Sequence, residues 1–230
     1  MSSQTGLKEK LLSAFKKAAF GAALATTLSS DTSCTPPPAA PPARLTAGEV
    51  ALVQSIFGAA VNTAIVTKNF YPPSSDYYNP DAPKEKIAAV NDKRNIIFYG
   101  PDCLSDDYSK GGVIVYGTFV HEMTHIWQRQ AIPGLRLLFM SCHTYDYALD
   151  SRSRFSDFCI EQQGVIIEDY ALRFLHPSHA SLRIKNTPEN DALLKKVVEE
   201  QFPAARETRL ALEEQERLKT AAANPKSPKA

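Results

Sequence analysis

Residues 121–128 read "HEMTHIWQ", and the reading of these eight residues decides the fold. Two histidines stand four apart, with a glutamate directly after the first. On an α-helix, positions i and i+4 lie on one face, one turn apart. His121 and His125 can therefore direct imidazole nitrogens at a single ion. Glu122 projects about 100° round the helix from His121, beside such an ion but not bound to it. That is the station of a general base. Zinc lowers the pKa of a bound water to about 7, so the pattern points to hydrolysis by metal-activated water.

The flanking residues support a buried helix from about Val113 to Gln130. Val113, Ile114, Val115, Phe119, Val120, Met123, Ile126 and Trp127 are apolar over most of its circumference, as in helices enclosed by a core. His121, Glu122, His125 and Gln128 are then polar groups in an apolar setting, where they need partners. Gly117 and Thr118 leave room for close packing against a strand. The bland alternative is a satisfied pair of core histidines.

A catalytic zinc site needs a third protein ligand and an open position. The chain has no HExxHxxGxxH motif, since Gln128 stands where that motif carries glycine. A later glutamate is the other common solution. A second long helix is expected over Phe155–Leu175, ending at His176-Pro177, and it carries "FCIEQQGVIIEDY". Glu161 and Glu168 lie two turns apart on one face, and either can reach the metal. Between the helices, "CHTYDYALD" offers His143, Tyr145 and Tyr147 as donors to a developing oxyanion. His176 and His179 read as exposed loop residues.

The remaining organisation follows from local signals. Residues 1–44 form an N-terminal amphipathic or signal-like segment with the Pro-rich linker "TSCTPPPAAPPA". The domain proper spans 45–180. It opens with "LTAGEVALVQSIFG", where Thr46 is an N-cap, Glu49 completes a capping box, and Gly58 stops the helix. "NTAIVTKNF" reads as a strand, and "KIAAVNDKRNIIFYG" as a hairpin with arms at 87–90 and 95–99. Residues 181–230 form a charged helical extension, broken at Phe202-Pro203, with Glu199-Glu200 and Glu213-Glu214 on a solvated face and a frayed tail.

Composition narrows the function classes. The 230 residues are 43% hydrophobic, enough for a real core, and the net charge is +1. A protein driven by phosphate contacts shows a strong basic excess, so a nucleic-acid partner is excluded. No apolar run reaches the roughly 18 residues of a membrane span. The cysteines Cys34, Cys103, Cys142 and Cys159 form no CxxC pair. One structural disulfide is possible, and free buried thiols are the simpler expectation.

The blocks "LTAGEVALVQSIFG", "NIIFYG", "FVHEMTHIWQRQ", "YDYALD" and "FCIEQQGVIIEDYAL", in this order and over roughly residues 45–175, are specific beyond HExxH. Together the chain resembles the zincin-like metallopeptidase domains of proteins linked to bacterial extracellular contractile injection systems, Vgr-related proteins among them. The resemblance implies a compact α+β fold of gluzincin type, with a small sheet and two core helices carrying the site. It implies Zn2+ held by His121, His125 and Glu161, with Glu122 as base and a protein or peptide as substrate. Components of an injection or secretion apparatus become expected partners, and a non-catalytic module of that apparatus is the alternative function. Better-known gluzincins often carry an aspartate four residues after the ligand glutamate to hold the first histidine. Here Val165 occupies that place, so Asp157, Glu168 or Asp169 would have to serve.

Overall fold

The computed structural model describes residues 42–71, 88–90, 94–99, 105–131, 144–179 and 183–223. The architecture is mixed α+β, mostly helical, with one small sheet. The chain enters the sheet through β1 (Ala43–Arg44), two residues ahead of Leu45, where the sequence reading starts the domain. It continues through α1 (Ala47–Phe57), two short 3-10 turns, β2 (Thr67–Tyr71), β3 (Ala88–Val90) and β4 (Asn95–Tyr99). Then come α2 (Val113–Ala131), α3 (Ile160–Phe174), α4 (Pro188–Gln201) and α5 (Pro203–Ala223). The sheet order is β1-β2-β4-β3. β3 and β4 pair antiparallel, with Ala89 opposite Ile97, while β2 and β4 run parallel, with Asn69 opposite Ile97. α2 packs on β3 and β4 and along α3.

Several elements start and stop where side-chain chemistry requires. The Thr46 side chain accepts from the Glu49 amide at 3.1 Å, and Glu49 Oε2 accepts from the Thr46 amide at 2.8 Å, so the capping box is complete. Gly58 ends α1 with φ of 58°, a left-handed backbone that side chains disfavour. "NTAIVTKNF" is a strand only from Thr67. Its first part is a 3-10 turn, because the Asn62 side chain accepts from the Ala64 amide at 3.2 Å and closes the chain locally. The helix expected over 155–175 likewise starts later, at Ile160. Asp157 Oδ2 accepts from the Arg154 amide and closes a 3-10 turn over Phe155–Asp157, after which Phe158 and Cys159 are extended.

One continuous core includes Ile56, Phe57, Phe119, Met123, Ile166, Ile167 and Leu172 from α1, α2 and α3. Leu194, Val197, Val198, Phe202 and Ala205 belong to the same core, so residues beyond 180 help to build it. Pro203 breaks the helix where the sequence reading placed the break. The break turns Phe202 inward, with its ring 4.9 Å from Trp127, 5.1 Å from Phe57 and 5.4 Å from Phe155. Glu199 is not on a solvated face. It accepts from Arg209 Nε at 2.6 Å, and the Tyr170 hydroxyl lies 2.9 Å away. His176 is half-buried against Tyr116, whereas His179 is exposed. The segments 1–41, 72–87, 132–143 and 224–230 lie outside the described residues, and with them most of the N-terminal segment, its linker and the tail.

One buried ion pair ties the sheet to the helices. Glu49 Oε1 accepts from Lys68 Nζ at 2.7 Å and from the Tyr108 amide at 2.9 Å, and the two side chains are 0% and 3% exposed. Removing one partner strands a buried charge, which costs about 3–5 kcal/mol. Glu49→Ala is expected to lower the unfolding free energy by about that amount in urea denaturation. Pairing it with Lys68→Met should recover part of the loss.

Candidate metal centre

The site is made where α2 and α3 run against each other. His121 and His125 stand one turn apart on α2, and Glu161 stands in the first turn of α3. Their ligand atoms form a nearly equilateral triangle. His121 Nε2 is 3.2 Å from His125 Nε2 and 3.3 Å from Glu161 Oε2, and His125 Nε2 is 3.4 Å from Glu161 Oε2. Ligands about 2.0–2.1 Å from one ion at tetrahedral angles lie about 3.3 Å from each other. The three atoms fit one face of that polyhedron. A shared proton can bridge only one edge of the triangle, whereas a cation satisfies all three lone pairs. His121, His125 and Glu161 are the residues that could hold one.

Glu168 sits on the other side of His121, with Oε2 3.5 Å from Nδ1. Of Asp157, Glu168 and Asp169, the candidates for holding His121, Glu168 is the one recorded against its ring, and it is not itself among the three converging ligands. Asp157 holds its own 3-10 turn, and Asp169 accepts from the Tyr147 hydroxyl at 2.8 Å. Burial opposes charge on His121, but Glu161 and Glu168 outweigh it and lift the ring's pKa to about 10. Burial also opposes charge on Glu161, yet the two histidines hold its carboxyl well below the usual range. The site gathers the carboxylates of Glu122, Glu161 and Glu168 around the two imidazoles.

Glu122 is 6% exposed, and its Oε2 is buried with no hydrogen-bond partner among the described residues. Its pKa is raised, chiefly by burial. The two imidazoles act against that rise, and Glu161 and Glu168 add to it. A lone, destabilised carboxylate oxygen beside a cation site suits proton transfer.

Two glycines permit this arrangement. A Cβ on Gly164 would lie 2.6 Å from His121 Cε1, and one on Gly117 would lie 2.7 Å from Glu168 Oε1. Each helix thus carries a glycine where the other's site side chain must lie. Gly117 makes room for helix α3, not for the strand expected from sequence. Gly164 went unnoticed there, although its place between Glu161 and Glu168, on their shared face, was a usable signal.

Of the three candidate oxyanion donors, Tyr145 has its ring close to that of His121. It is 42% exposed, with its ring 6.1 Å from that of His121. The Tyr147 hydroxyl is committed to Asp169, and His143 lies outside the described residues. Cys159 is disulfide-bonded, so the free-thiol expectation fails for it. Its amide donates to Gln162 Oε1 at 3.2 Å, and Gln162 Nε2 donates to the Asp146 carbonyl at 2.8 Å, binding the tyrosine segment to the start of α3.

Against this geometry stand the comparisons with known proteins. No protein-family model matches the chain. Over 139 residues, 56% of its length, it is 30% identical to the type VI secretion system spike protein VgrG2b of Pseudomonas aeruginosa. The chain is similar to part of a secretion spike protein. It spans only 13% of that protein's length. The solved effector domain of the same VgrG2b shares 28% sequence identity, with a TM-score of 0.47, covering 61% of this chain and 79% of that one. Among the described residues, no helix is long and apolar enough to cross a membrane.

The glycine contacts generate a test. Gly164→Ala should push the His121 ring off the triangle and weaken zinc binding by about tenfold or more, measured by chelator competition, with the helical circular dichroism unchanged. Unaltered affinity would mean that the close contact does not position the ring.

Proposed function

We propose that the chain is a zinc-dependent metallopeptidase of zincin-like fold, hydrolysing peptide bonds in a protein or peptide substrate. The observation that carries this reading is the triangle of His121, His125 and Glu161, with the buried Glu122 carboxylate beside it, whose Oε2 has no hydrogen-bond partner among the described residues. Zinc held by those three residues would supply Lewis acidity, polarising a peptide carbonyl and making water nucleophilic near neutral pH.

The protein's own groups do the rest. Glu122 takes a proton from the attacking water and passes it to the leaving amine. Burial keeps that carboxylate poorly solvated, so a proton is readily accepted. Glu168 orients His121 from behind, through Nδ1, and leaves Nε2 for the ion. Tyr145, exposed with its ring 6.1 Å from that of His121, would donate to a developing oxyanion.

A second reading has its own support. The relative is a spike protein of a secretion apparatus, which favours a structural or effector module in such a machine, with its components as partners. There the ion would clamp α2 to α3 without turnover. Replacing Glu122 by Gln separates the two, because it removes the base and leaves the ligands. Under the peptidase reading Glu122→Gln keeps one zinc per chain and the wild-type melting temperature but loses cleavage of a broad peptide library. Wild-type protein saturated with zinc that cleaves nothing in that library would favour the module.

A further inference from the structure

His125 has a second partner, on the side away from the triangle. Its Nδ1 lies 2.8 Å from Gln128 Oε1. Gln128 Nε2 donates to the Ile160 carbonyl at 3.1 Å and to Gln163 Oε1 at 2.9 Å. Gln163 Nε2 donates to the Phe155 carbonyl at 3.2 Å and the Phe158 carbonyl at 2.9 Å. Gln128 is 1% exposed and Gln163 8%, so water does not compete for these groups.

The chain of bonds permits one assignment. Backbone carbonyls only accept. The Gln163 amide nitrogen must therefore face Phe155 and Phe158, and its oxygen must face Gln128. The Gln128 nitrogen must face that oxygen and the Ile160 carbonyl, so its own oxygen faces His125. An amide oxygen also only accepts, so His125 Nδ1 must carry the hydrogen. In its neutral form the ring then presents its Nε2 lone pair toward His121 and Glu161. Flipping the Gln128 amide would set oxygen against oxygen at both Ile160 and Gln163, and moving the ring hydrogen to Nε2 would set lone pair against lone pair across 2.8 Å. Each alternative leaves buried polar groups unpaired, a loss of about 1–3 kcal/mol per group.

We propose that Gln128 and Gln163 are positioning residues, a buried amide relay that locks His125 with its hydrogen on Nδ1 and its Nε2 free for the cation. The relay ends on the carbonyls of 155, 158 and 160, the segment that leads into Glu161. It therefore ties the tautomer of one ligand to the placement of another. "HExxHxxQ" on α2 and "EQQ" on α3 are two halves of one device. The inference rests on the metal-centre reading for its purpose, but the tautomer itself is a property of the metal-free chain.

The test uses the full-length protein, labelled with 15N-histidine, in two measurements. In the metal-free protein at mildly alkaline pH, long-range 1H–15N spectra, assigned with His125→Ala, should show His125 as the Nδ1–H tautomer. In Gln128→Leu the ring should shift toward Nε2–H, and zinc affinity by chelator competition should fall about 10–100-fold. Gln163→Leu, which does not touch His125, should move both readouts in the same direction by less. An Nε2–H tautomer in the wild-type protein overturns the proposal even if the variants fail to fold. So does a folded Gln128→Leu with unchanged tautomer and zinc affinity. A wild-type protein that holds the Nδ1–H tautomer but binds no zinc supports the lock and overturns the metal centre instead.

Discussion

The structure depends on how closely α2 approaches α3. Carboxylates from one helix must touch imidazoles of the other within a core that excludes water. That happens only where the facing position on each helix has no side chain. Gly117 opposite Glu168 and Gly164 opposite His121 meet this condition in reciprocal fashion. With the backbones at this separation, one helical turn of spacing on α2 and two on α3 suffice to surround His121 with Glu161 on one nitrogen and Glu168 on the other. The same antiparallel register carries Gln128 to Gln163 at the far end of the contact.

The cluster concentrates charge inside the core, and its members stabilise one another against burial. Glu122, Glu161 and Glu168 crowd two imidazoles in a setting where burial disfavours every charge. Phe119, Met123, Ile166 and Ile167 of the same two helices are buried in the hydrophobic core. The Phe202 aromatic cluster and the Glu49–Lys68 pair fix α1, the sheet and the C-terminal helices to the same body. The aromatic cluster reaches α2 through Trp127, and the ion pair joins α1 to β2.

Much of this was legible in the sequence because it is written at short range. The i, i+4 histidines, the capping box at Thr46, the β4 strand and the break at Phe202-Pro203 are each set by a few neighbouring residues. What was not legible depends on which helix faces which. Glu161 and Glu168 were equivalent by periodicity, and only the packing assigns one to the triangle and the other to the back of His121. Gln128 was noted for the glycine it replaces, while its partner Gln163 lies on another helix. Glu199 read as solvated because its neighbours are charged, yet Arg209 from α5 covers it. The 3-10 turns at Thr63 and Phe155 were missed because Asn62 and Asp157 stop the regular element with a single side-chain bond.

The central claim, that three side chains from two helices hold one cation, is tested most directly by metal content. Elemental analysis of the purified chain after gel filtration, wild type beside Glu161→Ala, is predicted to give one zinc per wild-type chain and a large loss in the variant. Wild-type protein carrying no stoichiometric metal, or a Glu161→Ala variant that retains all of it, would contradict the account.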